Sequence, residues 1–218
     1  MTYPILNVPV ANPSRPTAAS IKILAALVAL IFVLAACAIP PAGATSYIAS
    51  IDGAPASARV GIVVEDGIFK AYICSLDDAF NLTSARWYEG VVDADGNIAG
   101  VSADGVALQG SVRDGQFSGT IVNIDNVTMT FSGAEVAELD PAGLYRGTGE
   151  YNGQAVIVGA TIAPDGTFAA TAQYQDRFEF IAPIGAEPVF LSDGTLGILL
   201  GPDGAQIEVT LVTTLQAE

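Results

Sequence analysis

Acidic-glycine pairs punctuate this chain from residue 66 almost to its end: Asp66-Gly67, Asp95-Gly96, Asp104-Gly105, Asp114-Gly115, Asp165-Gly166, Asp193-Gly194 and Asp203-Gly204, with Asn152-Gly153 as the amide counterpart. Asp or Asn before Gly supports the positive φ angles of tight hairpin turns, so each pair predicts a chain reversal. The segments between them alternate with period two. Val127, Met129 and Phe131 oppose Thr128, Thr130 and Ser132; Ile207, Val209 and Leu211 oppose Gln206, Glu208 and Thr210; Val106, Leu108 and Val112 oppose Ala107, Gln109 and Ser111. Turn signals arrive about every ten residues between Asp95 and Asn126, leaving strands of roughly six to eight residues whose neighbours pair antiparallel. The expected fold class is therefore all-β: an antiparallel meander with tight Asp-Gly turns that curls into a barrel, a sandwich being the other arrangement. No helix of note is expected beyond residue 46.

The segment Glu135–Gly143 breaks the alternation and closes on Pro and Gly. It divides a first antiparallel β module at 45–137 from a second at 142–214, with one continuous β domain over 45–214 as the alternative. No residue-level repeat relates the halves. Gly90, Gly119, Gly147 and Gly149 fall inside strand patterns, where they mark bulges or tight bends of a small barrel.

Ahead of the β pattern lies an apolar run of fourteen residues, Ile23–Ala36, ending without a polar break on Cys37. At ~1.5 Å per residue it spans roughly 21 Å as a helix, short of a hydrocarbon core of ~30 Å, and Arg15 and Lys22 supply a positive flank. Its last residues, Leu34-Ala35-Ala36-Cys37, resemble the lipobox of bacterial lipoproteins. The resemblance covers the leader only. It implies a signal peptide at 1–36, cleavage between Ala36 and Cys37, a lipid on the Cys37 thiol and a tether over 37–46. An uncleaved anchor is the alternative, because extension through Ile39 gives seventeen residues. Either arrangement puts residues 38–218 outside the cytoplasm, held at the cell membrane or outer envelope. A second resemblance spans about residues 59–147: Ala71-Tyr72-Ile73-Cys74, Trp87-Tyr88-Glu89-Gly90 and Ala142-Gly143-Leu144-Tyr145-Arg146 are similar to β-rich modules of uncharacterised secreted proteins from high-GC bacteria. It implies an envelope β domain and brings no activity with it.

All 23 acidic residues lie beyond residue 36, against six basic ones, a net charge of −17 for that part. Such a surface disfavours nucleic acid and is repelled by anionic headgroups, so membrane attachment rests on the anchor. The chain has no histidine, which removes Ser-His-Asp catalysis and the His-bearing zinc sites. Cys74 is then a lone thiol in the apolar run Ile68–Cys74, expected to be buried and inert. Asp93-Ala94-Asp95-Gly96-Asn97 has the alternating oxygens of a calcium loop, with Asp104 at the twelfth place; the sixth place is Ile98 and the bidentate Glu is missing, so the segment reads as a turn. The pairs Glu65/Asp66, Asp77/Asp78 and Glu135/Glu138 are the carboxylates a glycan hydrolase would draw on, although sequence neighbours in a strand point to opposite faces. Trp87, Tyr88, Tyr145, Tyr151, Phe168, Tyr174, Phe178 and Phe180 read chiefly as core, with a sugar or lipid pocket in a barrel mouth as the functional alternative. No catalytic residue, metal ligand or cofactor is assigned. The expected function is that of a non-enzymatic binding or structural module, its partner an envelope glycan, lipid or protein; the alternative is a carboxylate-dependent hydrolase acting on envelope glycans.

Overall fold

Two-residue turns at Asp66-Gly67, Asp114-Gly115 and Asn152-Gly153 carry positive φ at both positions, the geometry that matches the twist of the strands they join. These turns belong to a computed structural model that describes residues 43–137, 141–177, 179–181, 187–192, 195–202 and 204–215. The leader, with Ala36 and Cys37, lies outside the described residues, as do Glu138, Phe178, Asp193-Gly194 and Asp203.

Eight strands follow one another as a meander: β1 (Thr45–Ile51), β2 (Arg59–Glu65), β3 (Ile68–Cys74), β4 (Arg86–Val92), β5 (Asn97–Ser102), β6 (Ala107–Arg113), β7 (Gln116–Val122) and β8 (Thr128–Glu135). Each pairs antiparallel with the next, and β8 pairs with β1 through Tyr47↔Glu135 to Ile51↔Phe131, which closes the barrel. The chain is all-β and barrel-like, as the turn spacing predicts. One departure is helix α1 (Asp78–Ser84), seven residues between β3 and β4. Its start was encoded in a residue read only as half of a carboxylate pair: Asp77 is the N-cap, accepting the Phe80 amide at 2.8 Å. Asp52-Gly53, absent from the expected reversals, opens the β1–β2 loop.

Alternation fills the barrel. Phe69, Ala71 and Ile73 of β3, Tyr88 of β4, Leu108 of β6, Phe117 and Ile121 of β7 and Phe131 of β8 form one buried cluster. The strand glycines leave room for its rings. A Cβ on Gly100 would stand 2.4 Å from Phe69 Cζ, and one on Gly119 would stand 2.7 Å from Phe131 Cζ. Register runs through these positions unbroken, from Phe69↔Gly90 to Gly90↔Gly100 and from Gly110↔Gly119 to Gly119↔Phe131. Gly90 and Gly119 are thus places where an aromatic ring lies over backbone, and not bulges.

Beyond residue 142 the chain makes β9 (Gly143–Tyr151), β10 (Gln154–Ile162), β11 (Phe168–Tyr174), β12 (Phe180–Ile181), β13 (Val189–Phe190), β14 (Leu196–Leu200) and β15 (Ala205–Leu211). The sheet order is β12-β11-β10-β9-β15-β14-β13, so the last strand returns to the far side of β9 and the meander expectation fails at that one step. One face carries its own core, in which Val156, Val158, Phe168, Ile198 and Val209 are buried. The other face packs on the outside of the barrel. Val63, Tyr72 and Cys74 of the barrel meet Leu144, Ala169 and Leu215 there. Strand β11 is covered on both faces, and for that reason its sequence FAATAQY is small and mostly apolar throughout. Tyr72 anchors the joint: its ring fills the gap left by Gly159, where a Cβ would come within 2.3 Å, and its hydroxyl donates to the Thr171 carbonyl at 3.2 Å.

Candidate ligand-binding cleft

The strand alternation that buries Phe69, Ala71 and Ile73 inside the barrel turns Lys70, Tyr72 and Cys74 outward. Tyr72 and Cys74 disappear under the second sheet, and Lys70 emerges at its margin. On β9, Leu144 is covered by the joint while Arg146 and Thr148 emerge facing the same margin. Lys70, Arg146, Thr148 and Thr210 line a cleft of about 370 Å³, completed by the segment that follows β15. That segment is tied at both ends. The Val212 amide donates to the Leu144 carbonyl at 2.8 Å, and the Glu65 carboxylate accepts from the Thr214 hydroxyl at 2.9 Å and from the Leu215 amide.

Beside the cleft, the Trp87 ring stacks on Tyr72 with centroids 4.5 Å apart, and the guanidinium carbon of Arg146 stands 5.7 Å from the Trp87 centroid. The indole Nε1 is buried and has no hydrogen-bond partner among the described residues. Lys70 Nζ lies 3.5 Å from Glu89 Oε1, but the Glu89 side chain is 70% exposed, so this pair holds Lys70 only weakly. The cleft thus gathers an ammonium, a guanidinium and the side chains of Thr148 and Thr210. Sequence reasoning did not bring these residues together. The available signal was that Lys70 interrupts the apolar run Ile68–Cys74 and Arg146 occupies an outward place on its strand.

Of the carboxylates singled out in the sequence, Glu65 and Asp77 hold local structure. Glu65 holds the strap, Asp66 sits in a turn at positive φ, and Asp77 caps α1. Glu135 ends β8. Asp93 accepts the Asp95 and Asn97 amides at 2.9 and 2.8 Å and the Asn97 side-chain amide at 2.8 Å, and these hydrogen bonds from Asn97 hold its carboxyl below the usual range. The calcium-like segment is a self-capped turn. Asp165 caps its own turn likewise, accepting the Thr167 amide at 2.9 Å.

Tyr88, Tyr145, Tyr151, Phe168 and Tyr174 are core residues; Trp87 and Phe180 are half-buried. Cys74 faces the joint, its sulfur 3.7 Å from Thr161 Oγ1. Burial pushes its thiol up to about 12 against the opposing pull of that hydrogen bond, so the thiolate is scarce at neutral pH. One charged constellation had no forewarning beyond an inward place in the β4 alternation: Arg86, its side chain 4% exposed, donates from Nε to Asp104 Oδ2 at 2.9 Å and from a terminal nitrogen to the Ala85 carbonyl at 2.8 Å. Asp104 also accepts from the Ser102 hydroxyl at 2.5 Å, and Phe180 of the second sheet lies 5.6 Å from the guanidinium carbon. Burial raises the Asp104 carboxyl, but hydrogen bonds from Ser102 and Arg86 and the Arg86 charge outweigh it and hold the carboxyl below its ordinary value.

No family model, no curated protein and no solved structure matches the chain.

Proposed function

We propose that this chain is a lipid-anchored, extracytoplasmic β protein of the cell envelope that acts as a non-enzymatic binding or structural module. The observation that carries the reading against a carboxylate-dependent hydrolase is the occupation of its acids. Glu65, Asp77, Asp93 and Asp165 each hold backbone amides of a strap, a helix start or a turn, and moving any of them to acid-base work would undo local structure. The barrel interior supports the same reading, because Phe69, Phe117 and Phe131 fill the space where a lumenal site would lie. The Leu34-Ala35-Ala36-Cys37 leader supplies the address, with Cys37 as the lipidated residue and Ala36 as the last residue removed.

The test of the address is Cys37→Ser in a host that processes lipoproteins. Mass spectrometry of the parent is expected to find a mature amino terminus at Cys37 with added acyl mass, and of the variant a precursor that keeps residues 1–36. A parent terminus elsewhere, or no acyl mass, overturns the anchor. Turnover of an envelope glycan that a single Asp or Glu substitution abolishes overturns the non-enzymatic reading.

A further inference from the structure

The four loops at the end of the barrel opposite Thr45, residues 52–58, 75–85, 103–106 and 123–127, contain Asp52, Asp77, Asp78, Asp104 and Asp125 and no lysine or arginine. Helix α1 lies across this mouth. It follows β3, its Phe80 enters the barrel core, and its Thr83 carbonyl accepts the Ile124 amide at 3.2 Å from the loop after β7, on the far side of the closed ring. Phe80, Asn81 and Ser84 are the buried face of the helix, and the Asn81 side chain is clamped to the Ser75 backbone by two hydrogen bonds of 2.9 Å. Helical geometry turns Leu82 the other way, where it is 58% exposed. Ile124 and Val127, on the loop bonded to α1, are 50% and 51% exposed.

We propose that this mouth is a docking surface for a cationic amphipathic segment of another protein, one that sets apolar side chains among Lys or Arg. The inference rests on the reading of the chain as a binding module and names what the module takes. Leu82, Ile124 and Val127 stand on backbone that is already fixed: the Asn123 side chain accepts the Asp125 and Val127 amides at 3.0 and 2.9 Å, and the Val127 carbonyl accepts the Asn123 amide at 3.0 Å. A partner that covers them therefore has little to order on this side of the interface. Charge fixes the partner's sign. Asp78 shares α1 with Leu82, Asp125 lies between Ile124 and Val127 in the chain, and Asp52 is held beside β8 by the Thr130 hydroxyl at 2.7 Å; all three aspartates are exposed. Of the cations where strands meet this mouth, Arg86 is buried on Asp104, and Arg59 donates to the Ala56 and Ala58 carbonyls at 2.7 and 2.8 Å. A second copy of this chain would bring the same acids to the same face and be repelled, as would an anionic bilayer, whereas a cationic segment is drawn in.

The probe is a dye-labelled heptapeptide of alternating Lys and Leu, titrated with the full chain in neutral detergent against an empty-micelle blank and read by anisotropy. A second peptide replaces each Leu by Ser at the same charge. The Lys/Leu peptide is expected to bind saturably and the Lys/Ser peptide at least tenfold more weakly. Leu82→Ser and Ile124→Ser are each expected to weaken the Lys/Leu peptide about tenfold, and Val101→Ser, at a valine 57% exposed on the side of the barrel, to leave it unchanged. Asp78→Asn combined with Asp125→Asn is expected to weaken both peptides and to flatten the dependence on salt. Equal binding of the two peptides, or a Leu82→Ser or Ile124→Ser titration that overlays the parent, overturns the proposal. A parent that ignores the peptide, while Leu82→Ser lowers its partition onto phosphatidylcholine vesicles, assigns the face to a bilayer and overturns it as well. None of these results touches the terminus at Cys37 or the turnover of a glycan, so failure here is distinct from failure of the reading beneath it.

Discussion

Gly159→Ala tests whether the joint between the two sheets is held by the fit of one ring over one glycine. The new methyl would stand 2.3 Å from both Cδ1 and Cε1 of Tyr72, well inside contact distance. Retreat is blocked on the far side, where Trp87 stacks at 4.5 Å, and Tyr72 is fully buried. Overpacking of this kind costs about 1–3 kcal/mol, and displacing the ring also endangers the 3.2 Å hydrogen bond to Thr171, worth about 1 kcal/mol. Against this, Ala is favoured over Gly in a strand by about 0.5–1 kcal/mol, and the φ here is ordinary for any residue. The expected net loss is about 2 kcal/mol, read as a fall of about 1 M in the urea midpoint followed by Trp87 emission. The decisive arm is Tyr72→Leu, which removes the ring: in that background Gly159→Ala should be neutral or slightly stabilising. A neutral Gly159→Ala in the parent, or an undiminished penalty in the Tyr72→Leu background, refutes the reasoning.

Removing Arg86 by Arg86→Ala leaves Asp104, 18% exposed, without its cation, and the expected cost by denaturant unfolding is about 3–5 kcal/mol. Because the folded-state pKa of Asp104 is depressed, its stabilisation is present above the unfolded value of about 3.9 and is lost as pH falls through the folded one, so Asp104→Asn should flatten the acid limb of a stability-pH profile below about pH 4. Cys74 has the opposite sign: its folded pKa is raised to about 12, so stability is intact below the unfolded value near 9 and declines above it as the unfolded thiol ionises. Cys74→Ala, costing about 1 kcal/mol at neutral pH, should therefore gain about 1.4 kcal/mol on the parent at pH 10, which closes the gap and slightly reverses it, and native Cys74 should resist thiol reagents.

The barrel was legible because two local signals agree along its length. Positive-φ turns at Asp66-Gly67 and Asp114-Gly115 set where strands reverse, and the alternation through Phe117 and Phe131 sets which face goes inside. Closure needed no further code, since short turns leave each strand beside the next. The return of β15 to β9 was not legible, because the Thr210↔Arg146 and Leu211↔Tyr145 pairing depends on a choice between sheet edges that no turn dictates. Helix α1 was hidden by its length: seven residues show no helical period, and Asp77 can be recognised as a cap only once the chain is known to turn there. The cleft was illegible for a similar reason. Lys70 and Arg146 are separated by most of the barrel in sequence, and what joins them is the packing of Tyr72 over Gly159, a contact between two residues with no shared pattern.

Closure of the barrel on β1 also decides how the protein responds to force. A pull on the chain ahead of Thr45 acts along the length of a strand bonded on both sides, through six register pairs to β2 and five to β8. Both ladders are loaded in parallel and in shear, so they must fail together, whereas a terminal strand at an open edge could be peeled away one bond at a time. A body joined to its surroundings through this end can be dragged without unravelling from the point of attachment.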